Sequence, residues 1–172
     1  VSPATVLQHV EFAERGELQS IEAVAMLSGL SSDIGERELQ TLAKRLQLSA
    51  PALHLRQVKP PIGTGNALLL QVRHEHHAET FTGHGARGLT AEKVAAGLAG
   101  EARTYLRSAA CVGEHLSDQL LLPMALAGGG KFTTHTVSDH LSSNARLIEK
   151  FLPVDIEWVE TAKDLWRVTV SA

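Results

Sequence analysis

The chain has 172 residues, of which 16 are Lys or Arg and 19 are Asp or Glu, so its formal net charge is −3. With 44% hydrophobic and 20% charged residues, the composition is that of a soluble globular protein and excludes a disordered or fibrous chain. No apolar run reaches the roughly 18 residues of a membrane span, no signal peptide is visible, and the charge gives no basic footprint for nucleic acid. We expect a cytoplasmic protein, and its single cysteine excludes an internal disulfide.

The first part of the chain follows a β-β-α-β-β-β order. Apolar runs and alternation predict five strands, at residues 6–12, 18–27, 53–58, 67–72 and 79–82. Between the second and third strands, Asp33 and Glu36 form an Asp-x-x-Glu capping box that starts a helix. The inner face of this helix is an apolar stripe at helical spacing, formed by Leu39, Leu42, Ala43 and Leu46.

The second part of the chain alternates helices and strands. Thr90 caps a helix whose inner residues are Val94, Leu98, Ala102 and Tyr105. The pattern is lost at residues 108–111, where we place a domain boundary. Residues 113–127 are apolar almost all round and predict a buried helix with a polar first turn, ended by Gly128, Gly129 and Gly130.

The chain ends in a strand, a helix and a hairpin. Residues 131–137 predict the strand, and Ser138 or Asp139 caps the helix that follows. The inward residues of that helix are Leu141, Ala145, Ile148 and Leu152, and Pro153 stops it. Residues 156–160 and 165–170 form the hairpin. The tail is therefore α-β-α-β-β, with helices on one face of a sheet, and the fold class is α+β.

Several polar motifs have a structural alternative. In a strand, His74 and His76 would share one face, where the two imidazoles could bind a metal ion. A polar strand end before a hairpin turn explains residues 74–77 more simply. The glycines at 63–65 and 128–130 could cradle a phosphate, yet neither run meets a phosphate-loop pattern, which favours a turn and a helix cap.

His140 is a candidate nucleophile. It falls in the first turn of the helix that starts at Ser138 or Asp139, where the positive helix end and free N–H groups favour an anionic phosphate. A neutral imidazole there can attack phosphorus. The alternative is an exposed histidine at a helix start without a catalytic role.

His115, Asp118 and Gln119 lie at the start of the preceding helix. His115 and Gln119 are four residues apart and share one face, where they can hydrogen-bond a purine or ribose; they can equally satisfy backbone at a helix end. Two adjacent helices with polar starts could converge on one anionic ligand, which is the strongest indication of function in the residues themselves.

Three segments together resemble the C-terminal signature of RNA 3′-terminal phosphate cyclases: VGEHLSDQLLLPMALAGGG at 112–130, HLSSN at 140–144 and IEKFLPV at 148–154. Their order and spacing match as well as their residues. Residues 14–110 resemble that family's inserted small domain more loosely, through the segments at 14–16 and 91–95.

The resemblance implies an enzyme that uses ATP and a divalent metal, Mg or Mn, to convert an RNA 3′-phosphate into a 2′,3′-cyclic phosphodiester. By resemblance, His140 attacks the α-phosphate of ATP and carries AMP, which passes to the RNA 3′-phosphate before the 2′-OH closes the ring. The matching nucleotide-binding segment is His115, Leu116, Ser117, Asp118 and Gln119, with Asp118 and Gln119 as the preferred contacts. No residue of the chain is assigned to the metal.

The resemblance also implies the domain organisation. Residues 1–14 would end a preceding repeat, 15–110 would form the inserted domain with a thioredoxin-like arrangement, and 111–172 would form the last repeat, similar to the C-terminal domain of translation initiation factor three. The chain would then be the C-terminal half of the enzyme, inactive without its N-terminal half. Two alternatives remain: a non-catalytic cyclase-like protein of ribosome biogenesis, and a metal- or ligand-binding module built on residues 74–77.

Overall fold

The computed structural model describes residues 7–61 and 63–172, which form two compact units. One unit is Glu17–Arg107, and the other joins the described residues up to Gly16 with Ser108–Ala172. Each unit has a four-stranded mixed sheet, two α-helices and its own hydrophobic core. The predicted α+β class is confirmed.

The elements follow one another in chain order, with a short 3₁₀ turn before the third strand. They are β1 (Val10–Phe12), β2 (Leu18–Ser28), α1 (Ser32–Leu46), β3 (Leu53–Gln57), β4 (Gly65–His74), β5 (Ala78–His84), α2 (Ala91–Arg107), α3 (Glu114–Leu126), β6 (Gly129–Thr134), α4 (Asp139–Phe151), β7 (Asp155–Ala162) and β8 (Leu165–Ser171). Among the described residues, no helix is long and apolar enough to cross a membrane.

The sheet of the Glu17–Arg107 unit has the order β3-β2-β4-β5. β2 runs parallel to β3 and antiparallel to β4, and β4 and β5 form an antiparallel hairpin. Alternation along β2 turns Ala23, Ala25 and Leu27 into the core, where they are fully buried. The antiparallel pairing of β4 with β5 confirms the hairpin predicted between residues 67–72 and 79–82.

The starts of the two helices in this unit differ in how well they were predicted. Thr90 caps α2 as expected, because its Oγ1 accepts a hydrogen bond from the backbone N–H of Lys93 at 3.3 Å. The cap predicted at Asp33 is wrong: Ser31 caps α1, its Oγ accepting from the N–H of Asp33 at 3.4 Å. Ser31 has the extended backbone that a cap needs, with φ −66° and ψ 142°.

The sheet of the other unit has the order β1-β6-β8-β7. β1 is parallel to β6, and the remaining neighbours are antiparallel. Val6, in the strand predicted at 6–12, lies outside the described residues. β6 begins at Gly129 and ends at Thr134 instead of spanning 131–137. A Cβ on Gly130 would come within 2.7 Å of Met124 Sδ, so only glycine lets the strand pass this close to α3.

The two helices of this unit also test the predictions. α4 begins as expected, with Ser138 as its cap and Leu141, Ala145 and Ile148 buried. It ends at Phe151, so Leu152, predicted as an inward helical residue, is instead the C-cap with extended backbone. The prediction that α3 is buried all round is wrong. Its inner residues Leu121 and Met124 are buried, whereas Leu122 is 48% and Leu126 59% exposed. Within this chain α3 therefore buries one apolar face and leaves other apolar residues exposed.

Candidate active site

Helices α3 and α4 begin beside the same end of one strand. The backbone N–H of Val112, just before α3, donates to Thr133 O at 2.9 Å, and Val112 forms a parallel bridge with Thr134. The N–H of Cys111 donates to Thr133 Oγ1 at 3.0 Å. Because β6 ends at Thr134 and leads to α4, these bonds bring the starts of both helices to one edge of the sheet.

The start of α4 presents His140 to solvent. Ser138 has extended backbone, and its Oγ accepts from the N–H of Leu141 at 3.2 Å, which closes the first turn. Leu141 next to it is fully buried, so the turn is anchored while the His140 side chain remains exposed. The positive end of the helix therefore lies beside an imidazole that a phosphate can reach.

The start of α3 presents a second set of polar groups. His115 and Gln119 are exposed on one face, as their spacing predicted. Ser117 is fully buried and its hydroxyl donates to the carbonyl of Glu114, so it stabilises the first turn. Leu116 is partly buried against the core of the unit. Of the predicted segment, His115, Asp118 and Gln119 keep side chains that a ligand can reach, because Asp118 is only half-buried.

A hydrogen bond links the two helix starts. Asn144 Nδ2 donates to Asp118 Oδ2 at 3.2 Å, joining α4 to α3 across the edge. Asn144 lies four residues after His140 and therefore on the same face of α4. The sequence analysis gave Asn144 no role, although its spacing from His140 was a signal that could have found it. The bond holds one oxygen of Asp118 and fixes the carboxyl beside the His140 face.

The two segments that contain the helix starts lack the cationic side chains that usually bind a highly charged anionic ligand. Residues 112–119 and 135–144 contain three histidines but no Lys or Arg. The first turns of α3 and α4 carry Glu114 and Asp139. Helix N–H groups and histidines can orient a phosphate, but they do not neutralise a triphosphate, which usually takes Lys, Arg or a metal ion.

The histidines at 74–77 do not form a shared site. His74 ends β4, is buried, and contacts the Tyr105 ring edge-on with centroids 5.9 Å apart. His77 is buried against Glu79, with Nε2 and Oε2 3.2 Å apart, while His76 is exposed. The chain turns at this point, since the N–H of His74 donates to His77 O at 2.8 Å. In the described part of the chain, no group of three or more His, Cys, Asp or Glu side chains is arranged to hold a metal ion.

The two glycine runs serve the backbone. Gly128 follows α3 with a φ of 78°, a left-handed conformation that favours glycine. Gly129 and Gly130 then begin β6. In the other unit, the carbonyl of Gly63 accepts a hydrogen bond from Ser28 Oγ at 2.7 Å. Turn and helix-end roles account for both runs.

Comparison with known proteins identifies the family. The family model described as RNA 3′-terminal phosphate cyclase matches residues 10–158. Proteins named RNA 3′-terminal phosphate cyclase from Pseudomonas fluorescens, Ralstonia nicotianae and Koribacter versatilis are 50%, 46% and 41% identical to the chain, over 96%, 94% and 99% of its length. The chain spans 48%, 46% and 48% of those relatives, about half of each. The chain belongs to the RNA 3′-terminal phosphate cyclase family.

Proposed function

We propose that the chain carries the nucleotide-transfer part of an enzyme that uses ATP to convert an RNA 3′-phosphate into a 2′,3′-cyclic phosphodiester. The observation that supports this most is that α3 and α4 both begin near the end of β6. His140 lies near the start of α4, and Asp118 lies near the start of α3. The hydrogen bond from Asn144 to Asp118 keeps the two helix starts in register.

In the proposed reaction His140 acts as a covalent nucleophile. An unprotonated ring nitrogen attacks the α-phosphorus of ATP, a P–N bond forms and pyrophosphate leaves with the electrons of the broken P–O bond. An oxygen of the RNA 3′-phosphate then attacks the same phosphorus, which restores His140 and gives an RNA-adenylate. The 2′-OH finally attacks the 3′-phosphorus, loses its proton and expels AMP. Each step replaces one bond to phosphorus by another, so no oxidant is needed.

The residues at the start of α3 are proposed to hold the nucleotide. His115 and Gln119 are exposed on one face, and Asp118 presents the oxygen that Asn144 does not occupy. These groups suit the base and ribose hydroxyls of a nucleotide. Leu116 and Ser117 contribute by packing and by the backbone, since Ser117 is fully buried.

The remaining parts of the proposal depend on groups outside these helix starts. Among the described residues, no group of three or more His, Cys, Asp or Glu side chains is arranged to hold a metal ion, so no residue is assigned to the implied Mg or Mn. Residues 112–119 and 135–144 contain no Lys or Arg, and in this proposal an N-terminal half supplies further cationic groups. Residues 15–110 would form an inserted domain and residues 111–172 the last repeat. On this proposal the 172-residue chain alone is inactive. The presence of His140 argues against the non-catalytic alternative.

Intact-mass spectrometry after incubation with ATP and Mg²⁺ or Mn²⁺ tests the proposal. We expect the chain in its full-length context to gain one AMP, on a bond that is labile to acid and stable to alkali. His140→Ala should abolish the gain, and His76→Ala, which changes an exposed histidine of the other unit, should retain it. An adduct that survives His140→Ala would reject the assignment.

A further inference from the structure

The Glu17–Arg107 unit contains a carboxyl group that its fold does not satisfy. Glu38 lies on the inner face of α1 and is fully buried. Its Oε1 accepts a hydrogen bond from Asn66 Nδ2, while Oε2 has no partner among the described residues. Burial raises the pKa of this carboxyl. An unsatisfied buried acceptor is destabilising, so its presence calls for an explanation.

A cavity of about 400 Å³ adjoins Glu38. Its apolar wall includes Leu30, Ile34, Leu89 and Val94, and its polar residues include Asn66 and Arg87. This volume is within the range of pockets that bind small ligands, and an apolar wall with a few polar groups is typical of them. Glu38 therefore lines a cavity that has both apolar and polar residues on its wall.

Asn66 is held in place beside this carboxyl. The backbone N–H of Gly85 donates to Asn66 O at 3.3 Å. A Cβ at residue 85 would come within 1.8 Å of Asn66 Oδ1, so glycine at this position lets the 85–89 segment approach the amide closely. The amide is thereby directed at Glu38 Oε1, and the buried Oε2 has no hydrogen-bond partner among the described residues.

The cavity also has a cation at its edge. Arg87 is exposed, and no ion pair joins it to another of the described residues. A guanidinium binds phosphate well because its N–H groups match the phosphate oxygens. A ligand that spans the space would therefore combine a hydrogen-bond donor, an apolar body and an anionic group. An ammonium donor would lose more hydration than a neutral amino group on entering an apolar cavity, which favours the neutral donor.

We propose that this cavity binds a nucleotide whose base carries an exocyclic amino group. The amino group donates to Glu38 Oε2, the base lies against Ile34 and Leu89, and the phosphate binds Arg87. The choice of a nucleotide over other amino-substituted rings rests on the proposed RNA substrate. The ligand is either a free nucleotide or a base of an RNA strand, since both present the same groups.

This geometry predicts a base preference that a single substitution reverses. Cytosine presents an amino group where uracil presents a carbonyl, so Glu38 should favour CMP over UMP by about tenfold, the equivalent of one good hydrogen bond. Glu38→Gln keeps the size of the side chain and an acceptor for Asn66, but replaces Oε2 by an NH₂ donor. The variant should therefore favour UMP over CMP.

The experiment is a titration of ¹⁵N-labelled protein followed by backbone and Asn side-chain amide signals. We expect CMP and AMP to shift the signals of the Asn66 side chain and of Gly65 and Gly85, with UMP about tenfold weaker and ribose 5-phosphate without effect. Glu36→Gln, which changes an exposed carboxyl of the same helix, should leave the preference unchanged. The proposal is wrong if these signals do not move with CMP, or if wild-type protein binds CMP and UMP equally.

The trinucleotide CpCpC distinguishes the two ligand sources. Binding tighter than that of CMP assigns the site to an RNA strand, and equal binding assigns it to the free nucleotide. The wild-type preference for CMP is decisive even if Glu38→Gln fails to fold. Because these signals report only on the cavity, the result is independent of whether His140 carries AMP, and either proposal can fail without the other.

Discussion

The sheets of the two units have the same pattern of parallel and antiparallel neighbours but different connections along the chain. In each sheet an edge strand runs parallel to its neighbour, and two antiparallel pairs complete the sheet. In the Glu17–Arg107 unit the parallel edge strand β3 follows β2 through α1. In the other unit it is β1, which precedes the whole Glu17–Arg107 segment in the chain. The same sheet pattern therefore arises from a local crossover in one unit and from a long-range pairing in the other.

The units also differ in where their polar groups lie. The Glu17–Arg107 unit buries Glu38, His77 and Glu79 in its interior. The other unit exposes His140 and His115 at helix starts, without a Lys or Arg nearby in the chain. Buried groups must be satisfied within their own unit or by a ligand, whereas exposed helix starts depend on charges supplied from elsewhere. This difference separates the buried carboxyl of one unit from the exposed helix starts that we propose as a catalytic edge in the other.

The largest expected effects are on the separate cores. Leu70 and Leu121 are fully buried, one in each unit, and replacing either by alanine should cost about 2–5 kcal/mol because a cavity is left. We expect Leu70→Ala to lower hydrogen-exchange protection in β2, β4 and β5, and Leu121→Ala to lower it in β6, β8 and α4. Equal loss of protection in both units from either change would contradict two independent cores.

A smaller effect is expected at the link between α3 and α4. Asn144→Ala removes the hydrogen bond to Asp118 and should lower the free energy of unfolding by about 1 kcal/mol. Because the bond aligns the helix starts, AMP transfer should slow by about tenfold or more. Arg146→Ala, at an exposed position on the same helix, is the control. An unchanged rate of adduct formation in Asn144→Ala would mean that the link does not position the site.

The buried carboxyl of the Glu17–Arg107 unit predicts a dependence on pH. Burial raises the pKa of Glu38 above its ordinary value of 4.5. The contribution of this group to the free energy of unfolding is therefore fully present below the unfolded-state pKa. It is lost as the pH rises through the folded-state pKa, because the buried carboxyl must then ionise. Glu38→Gln should therefore gain stability relative to wild type between pH 4 and pH 7. Urea unfolding at both pH values measures this, with Glu36→Gln as the control. A difference in free energy of unfolding between Glu38→Gln and wild type that is the same at both pH values would contradict this prediction.

The smallest effect is expected at an exposed ion pair of the same unit. Arg37 Nε and Nη2 donate to the two carboxylate oxygens of Glu92 at 2.7 and 2.9 Å, and this lowers the pKa of Glu92 to about 2. The stabilisation should be present at neutral pH, above the unfolded pKa of Glu92, and be lost as pH falls toward 2. Arg37→Ala should change the unfolding midpoint slightly in low salt and hardly at all in 1 M NaCl, because salt screens exposed pairs. A large effect that persists in salt would show that Arg37 acts by packing.

Local chemistry explains which elements the sequence predicted well. Ser138 and the apolar residues at 141, 145 and 148 specify the start and the inner face of α4, because a cap and a 3.6-residue stripe are both local. The start of α1 was misplaced because Ser31 and Asp33 are both of residue types that cap helices, and in the structure Ser31 accepts the capping hydrogen bond. The start of β6 was missed because glycines carry no side-chain pattern.

The candidate site was predictable only in part. The i to i+4 spacing identified the shared face of His115 and Gln119, and the same spacing joins His140 to Asn144. The pairing of Asn144 with Asp118 depends on the bridge between Val112 and Thr134, which brings distant parts of the sequence together. The burial of Glu38 could not be predicted because Glu38 follows Glu36 and Arg37 in a polar run. Those two residues lie on the outer side of the same helix, and nothing in the run distinguishes Glu38 from them.

The most direct test of the central claim locates AMP on the polypeptide. The chain in its full-length context is incubated with ATP and Mg²⁺ or Mn²⁺ and digested at alkaline pH, which preserves a P–N bond. Its peptides are then sequenced by tandem mass spectrometry. The account predicts that AMP is attached to His140, at the start of α4. AMP attached to a lysine or to another histidine, while His140 is unmodified, would contradict it.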